Sequence, residues 1–116
     1  MLSIKKLEEY GCDVQSGLER CMNSEEFYLK MVRMLKEEGN FEVLREALND
    51  NDLDRAFEAA HALKGVTGNL ALTPLYEPIC EITELLRDRT VMDYHDYLEK
   101  ITEAKNRLDE MIGEEQ

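Results

Sequence analysis

Residues 52–72, DLDRAFEAAHALKGVTGNLAL, place the tightest constraint on the fold. Leu53, Ala56, Phe57, Ala60, Leu63, Thr67 and Leu70 recur at the spacing of one helical face, which predicts a helix with one side buried. At about 100° per residue, His61 falls on a flank of that stripe that is open to solvent. Gly65 and Gly68 lie almost in line with His61, and Lys64 stands between that column and the stripe, one turn from the histidine. Each glycine inside a helix costs about 1 kcal/mol relative to alanine. A helix that carries two bares its surface, here beside an imidazole and an ammonium group. Another macromolecule could bring a phosphate-sized group to the ring without striking side chains. The arrangement suggests a nucleophilic histidine that serves a protein partner.

The flanking segments read as further helices. Residues 3–10 form a short amphipathic helix ending at Gly11, and Asp13 can cap a second one with Val14, Leu18 and Cys21 on one side. Ser24 and Glu25–Glu26 suit the start of a longer helix, with Gly39 as its natural C-cap. Phe27, Leu29, Met31, Met34 and Leu35 would supply its apolar surface, with Met31 and Met34 in the core. Residues 41–48 form a surface helix, and Asp52 caps the central one. Thr73-Pro74 opens the next helix as cap and first-turn proline. Leu75, Ile79, Ile82, Leu85 and Leu86 continue it to about Arg89, and Pro78 predicts a kink or a later start. A last helix starts near Asp93 with Asp93 and Asp96 in capping positions, and residues 113–116 form a short, loose acidic tail. Short connections favour antiparallel neighbours. The expected fold is all-α, an antiparallel up-down four-helix bundle with short additional N-terminal helices.

Composition narrows the function. A chain of 116 residues is one domain with a single core. A net charge of −12 argues against nucleic acid or an anionic membrane as a partner, since both need a basic surface. Cys12, Cys21 and Cys80 are odd in number and lack a C-x-x-C pairing, as in reduced thiols of a cytoplasmic protein. The first residues lead into a charged helix, so no signal peptide is expected, and no apolar run is long enough to span a bilayer. Glu58-Ala-Ala-His61 is formally an E-x-x-H motif, but the other histidine, His95, has Met92 three residues before it. Di-iron bundles need two such motifs and two more inward glutamates, so no metal site is expected. His95 reads as an ordinary first-turn residue.

His61-Ala-Leu-Lys64-Gly65, followed by Val-Thr-Gly68-Asn69-Leu70, closely resembles the H-x-L-K-G signature of histidine-containing phosphotransfer (HPt) domains. The Leu-Thr-Pro-Leu turn behind it fits, and residues 9–20 look like the N-terminal part of small stand-alone bacterial members. Ala71 departs from the pattern, where many members have glycine, and so does Val66, where a small or hydroxylated residue is common. The resemblance implies a phosphorelay carrier in two-component signal transduction. His61 would be the phosphoacceptor and Lys64 would stabilise the phosphate. Gly65 and Gly68 would give access to the phosphohistidine, although either could instead serve close helix packing. Asn69 would either end the helix or line the site. Thr83 and Arg87 lie about where family members place side chains facing the phosphorylated ring, and spacing alone would equally leave them solvated.

The implied partners are response-regulator receiver domains and a hybrid or sensor histidine kinase. No cofactor would be bound, Mg²⁺ coming from the receiver. The protein would be a cytoplasmic monomer that catalyses nothing until its partner completes the site. A full histidine kinase is excluded by length, and the kinase acceptor box usually has an acidic residue directly after the histidine, where Ala62 stands. A helical adaptor that binds receivers without carrying phosphate is the alternative. A detached piece of a chemotaxis kinase would show the same chemistry, with phosphate drawn from ATP through a separate domain.

Overall fold

Four helices begin where a short polar side chain takes up a free backbone N–H. Ser3 accepts from Lys6 N ahead of α1 (Ile4–Tyr10), and Asp13 accepts from Ser16 N ahead of α2 (Val14–Arg20). Ser24 accepts from Phe27 N ahead of α3 (Glu25–Met34), and Asp52 from Arg55 N ahead of α5 (Leu53–Asn69). The remaining elements are a 3-10 turn (Leu35–Glu37), α4 (Asn40–Asn49), α6 (Thr73–Arg87) and α7 (His95–Gly113). This computed structural model describes residues 1–113, and no strand occurs among them. No helix among the described residues is long and apolar enough to cross a membrane.

Several boundaries differ from expectation. Gly39 does not close α3: the helix tightens into the 3-10 turn, and Gly39, at φ −74°, stands at the start of α4. Thr73 is the first residue of α6 and offers no side-chain cap; the Leu72 carbonyl accepts from Leu75 N and Tyr76 N instead. Pro78 does not delay the start. α6 runs through it unbroken, and the buried proline adds apolar surface beside Leu75, Ile79 and Ile82. The one backbone bond lost lies in the second turn, near the end where the ladder is least complete. Asp93 does receive the His95 N–H, at 2.9 Å. Of the expected acidic tail, Gly113 ends α7 and residues 114–116 lie outside the described residues.

α5 is the centre of the packing. It lies against α4 and α6, its neighbours along the chain, and α6 lies against α7. Ala56, Ala59, Ala60, Leu63 and Thr67 form its buried face, so small residues let α4 and α6 approach closely. Of the helices that precede it in the chain, α4 packs against it most extensively. α3 turns a different face inward from the expected one. Tyr28, Val32 and, in the turn beyond, Leu35 are buried, whereas Met34 is 56% exposed, Phe27 38% exposed and Met31 half-buried. The Tyr28 ring fixes this choice. Its hydroxyl donates to the Leu70 carbonyl at 2.8 Å, and its ring rests where a Cβ on Gly17 would come within 2.6 Å. Tyr10 makes the matching tie at the other side, its hydroxyl donating to the Ala104 carbonyl of α7 at 2.7 Å. Burial pushes the Cys12 thiol up to about 12.

Candidate functional site

His61 stands midway along α5 and is exposed. The residue one turn before it, Phe57, belongs to the apolar stripe by sequence but is only half-buried, because the stripe's edge falls there. Its ring stacks on the imidazole, with centroids 5.6 Å apart and planes 25° from parallel. Two guanidinium groups cover the Phe57 ring, Arg87 at 5.1 Å and Arg89 at 4.8 Å from its centroid. Arg89 is itself held by Asp54 at 2.6 Å and by the Leu86 carbonyl at 2.8 Å.

The contacts run on from Arg87 along α6 and back to α5. Arg87 donates to Glu84 through Nε and Nη2, each at 3.2 Å. Glu84 Oε2 lies 3.6 Å from Lys64 Nζ, and Lys64 is one turn from His61. The Arg87 hydrogen bonds, and then the charges of Arg87 and Lys64, hold the Glu84 carboxyl below the usual carboxylate range, so it is ionised at neutral pH. The sequence reading missed both Phe57 and Glu84 as site residues. Phe57 carried a signal, its i, i+4 relation to His61. Glu84 carried none beyond being one of many surface acids.

The glycines separate. A Cβ on Gly65 would meet nothing within 4 Å, so the helix surface beside His61 is bare. A Cβ on Gly68 would come 2.8 Å from Tyr76 Cε1, so the space left by this glycine is taken by the Tyr76 ring of α6. Gly68 therefore serves close packing, the other role its position allows, although it still borders the cleft. That cleft, of about 550 Å³, is lined by His61, Lys64, Gly65, Asn69 and Tyr76, and by Arg20 of α2. Asn69 is the last residue of α5 and also borders the cleft, so its two expected roles coincide. Lys64 and Arg20 thus border the cleft with His61, while Arg87 and Arg89, paired with Glu84 and Asp54, lie over the Phe57 ring.

Thr83 is not solvated. It is fully buried, and its hydroxyl donates to the Ile79 carbonyl at 2.6 Å. Thr83 and Arg87 share a side by sequence spacing, but four residues overshoot one turn by about 40°. The boundary between the buried and exposed faces of α6 falls inside that interval. Arg87 reaches the imidazole only through Phe57. His95 is exposed and stands 3.4 Å from Glu99, away from these residues.

The C-terminal end of α5 is tightly finished. Leu72 N donates to the Thr67 carbonyl and Ala71 N to the Gly68 carbonyl, with Ala71 at φ 55°. This is a Schellman arrangement with alanine in the left-handed position that glycine normally fills. The Gly68 carbonyl also receives Nη1 of Arg20, and the Ala71 carbonyl receives Asp13 N. Beside this end an apolar groove runs between α3 and α5, lined by Phe27, Met31, Met34, Val66 and Leu70 and joined to the cleft through Arg20 and Asn69.

A family model described as Hpt domain matches residues 30–114. No curated protein and no solved structure matches the chain significantly.

Proposed function

We propose that this chain, which belongs to the Hpt domain family, carries a phosphoryl group on His61 in exchange with the aspartate of response-regulator receiver domains. The family places it in histidine phosphotransfer within two-component signalling. The observation that carries the finer reading is the exposed mid-helix imidazole with open space at Gly65 and the Lys64 ammonium one turn away. A nitrogen lone pair of the neutral imidazole attacks the phosphorus of an aspartyl phosphate. One P–N bond forms, one P–O bond breaks, and the aspartate leaves as a carboxylate. Imidazoles as a class are largely neutral near pH 7, so no separate base is required. The transition state is loose, and the work is mainly alignment and charge neutralisation. Phe57 fixes the ring plane by stacking, Lys64 meets the phosphoryl oxygens, and the receiver supplies Mg²⁺. The apolar groove beside the cleft offers the receiver a surface to rest on.

We read α4, α5, α6 and α7 as the antiparallel up-down bundle that presents this site. The short connections at residues 50–52 and 70–72 support that reading. The three free cysteines fit a reducing compartment, which supports a cytoplasmic protein. The chain acts as a single domain and a monomer that depends on its kinase and receivers for catalysis.

The test is transfer from a panel of phosphorylated receiver domains to the native protein, with His61→Gln alongside. Transfer that is abolished in the variant and lost on brief acid treatment supports the carrier. Normal transfer to His61→Gln would refute it. No transfer from any receiver, with phosphoramidate also failing to label His61, favours the adaptor.

A further inference from the structure

We propose that Glu84 is a positioning residue for Lys64, holding its ammonium beside the bare imidazole and yielding it to the phosphoryl group when His61 is loaded. This inference rests on the carrier reading of His61. Lys64 Nζ and Glu84 Oε2 are 3.6 Å apart, a loose ion pair between a lysine side chain 33% exposed and a glutamate side chain 59% exposed. Glu84 is gripped more closely on its other side by two nitrogens of Arg87. Arg87 in turn rests on the Phe57 ring that stacks on His61. The carboxylate is tied on its own helix by Arg87, and its contact with Lys64 of α5 is the longer of the two.

The consequence has a definite sign. Loading His61 draws Lys64 toward the new phosphoryl oxygens and away from Glu84. It also sets the phosphoryl charge in the same neighbourhood as the ionised carboxylate. Both effects act against the phosphohistidine, so Glu84 keeps the group easy to pass on. Arg87 opposes Glu84 by neutralising it. Removing Arg87 leaves Glu84 with Lys64 as its remaining cation among the ion pairs seen at this carboxylate.

The experiment uses the full chain, phosphoramidate as donor and ³¹P NMR to measure the steady-state fraction of phosphohistidine in Glu84→Gln, Arg87→Gln and the double variant. Exposed ion pairs are weak, so Glu84→Gln is expected to raise the ratio of loaded to unloaded His61 roughly threefold at low salt. The gain should shrink in about 0.5 M salt, where exposed charges are screened. Arg87→Gln is expected to lower the ratio about twofold in the native background and by clearly less once Glu84 is glutamine. Glu84→Asp should restore part of the native behaviour. An unchanged or lowered ratio in Glu84→Gln overturns the proposal, as does an Arg87→Gln effect that persists undiminished in the double variant. The ¹⁵N signal of the Lys64 ammonium in unloaded protein gives a second readout. If Glu84→Gln moves that signal yet leaves the ratio unchanged, the ion pair exists without the positioning role, and the carrier reading survives. If phosphoramidate labels neither native protein nor variants, the carrier reading falls and this proposal falls with it.

Discussion

Gly65→Ala should strengthen the fold and weaken the function, and this opposition is a severe test of the site. A methyl group at Gly65 would meet no heavy atom within 4 Å, so the substitution creates no clash inside the molecule. The helix should then gain the full difference between glycine and alanine, about 1 kcal/mol. For a chain of this length that corresponds to a rise in Tm of about 4 °C, taking about 2.1 cal/mol/K of unfolding entropy per residue. The same methyl sits on the bare flank in line with His61, where, on the proposed reading, a docked receiver brings its aspartyl phosphate. A displacement of about 1 Å at a reacting centre can cost about 100-fold in rate. We therefore expect receiver-to-His61 transfer to slow at least 10-fold, on the order of 1.4 kcal/mol in the barrier. Labelling by phosphoramidate, which is small enough to pass the methyl group, should stay within about twofold of native in the same reasoning. The assays are a thermal melt, single-turnover transfer from a phosphorylated receiver, and small-donor labelling. A higher Tm with unchanged receiver transfer would refute the idea that Gly65 exists for access.

Gly68→Ala should behave in the opposite way in the melt. Its Cβ would come 2.8 Å from the Tyr76 ring, so we expect a loss of about 1 kcal/mol, relieved when Tyr76→Ala is combined with it. Ala71→Gly should stabilise the protein by about 1 kcal/mol, since Ala71 is held at φ 55°, where a Cβ is unfavourable. A melt that shows no gain would mean that the greater freedom of glycine in the unfolded chain offsets the relief of strain. Small-donor labelling of His61 should be unaffected by Ala71→Gly.

The features legible in the sequence were those decided within a few residues. Ser3, Asp13, Ser24 and Asp52 each cap the helix that follows, because a cap is a contact between a side chain and a backbone N–H two or three residues on. The exposed flank of His61 was legible for the same reason, being fixed by helical spacing within α5 alone. The inward face of α3 was not. Phe27, Met31 and Met34 and the pair Tyr28 and Val32 are both apolar sets at helical spacing, and a hydrogen bond to Leu70, distant in sequence, decides between them. Glu84 was equally hidden, since its partner Lys64 lies on another helix. Thr83 shows the finer limit. Spacing put Thr83 and Arg87 on one side of α6 but did not tell on which side of the burial boundary each residue falls.

The end of α5 is fastened by residues that precede the stretch the family pattern covers. The match begins at residue 30, inside α3, yet Arg20 holds the Gly68 carbonyl, Asp13 N holds the Ala71 carbonyl and Tyr28 holds the Leu70 carbonyl. Asp13, Ser16 and Arg20 also form one wall of the cleft beside His61. On the proposed reading, the stretch matched by the family model holds the phosphoacceptor, while the helices that lead into it shape the doorway. Substitutions at Asp13, Ser16 or Arg20 would reshape that entrance while leaving the H-x-L-K-G helix intact. Partner choice is open to change there without any change at His61 or Lys64.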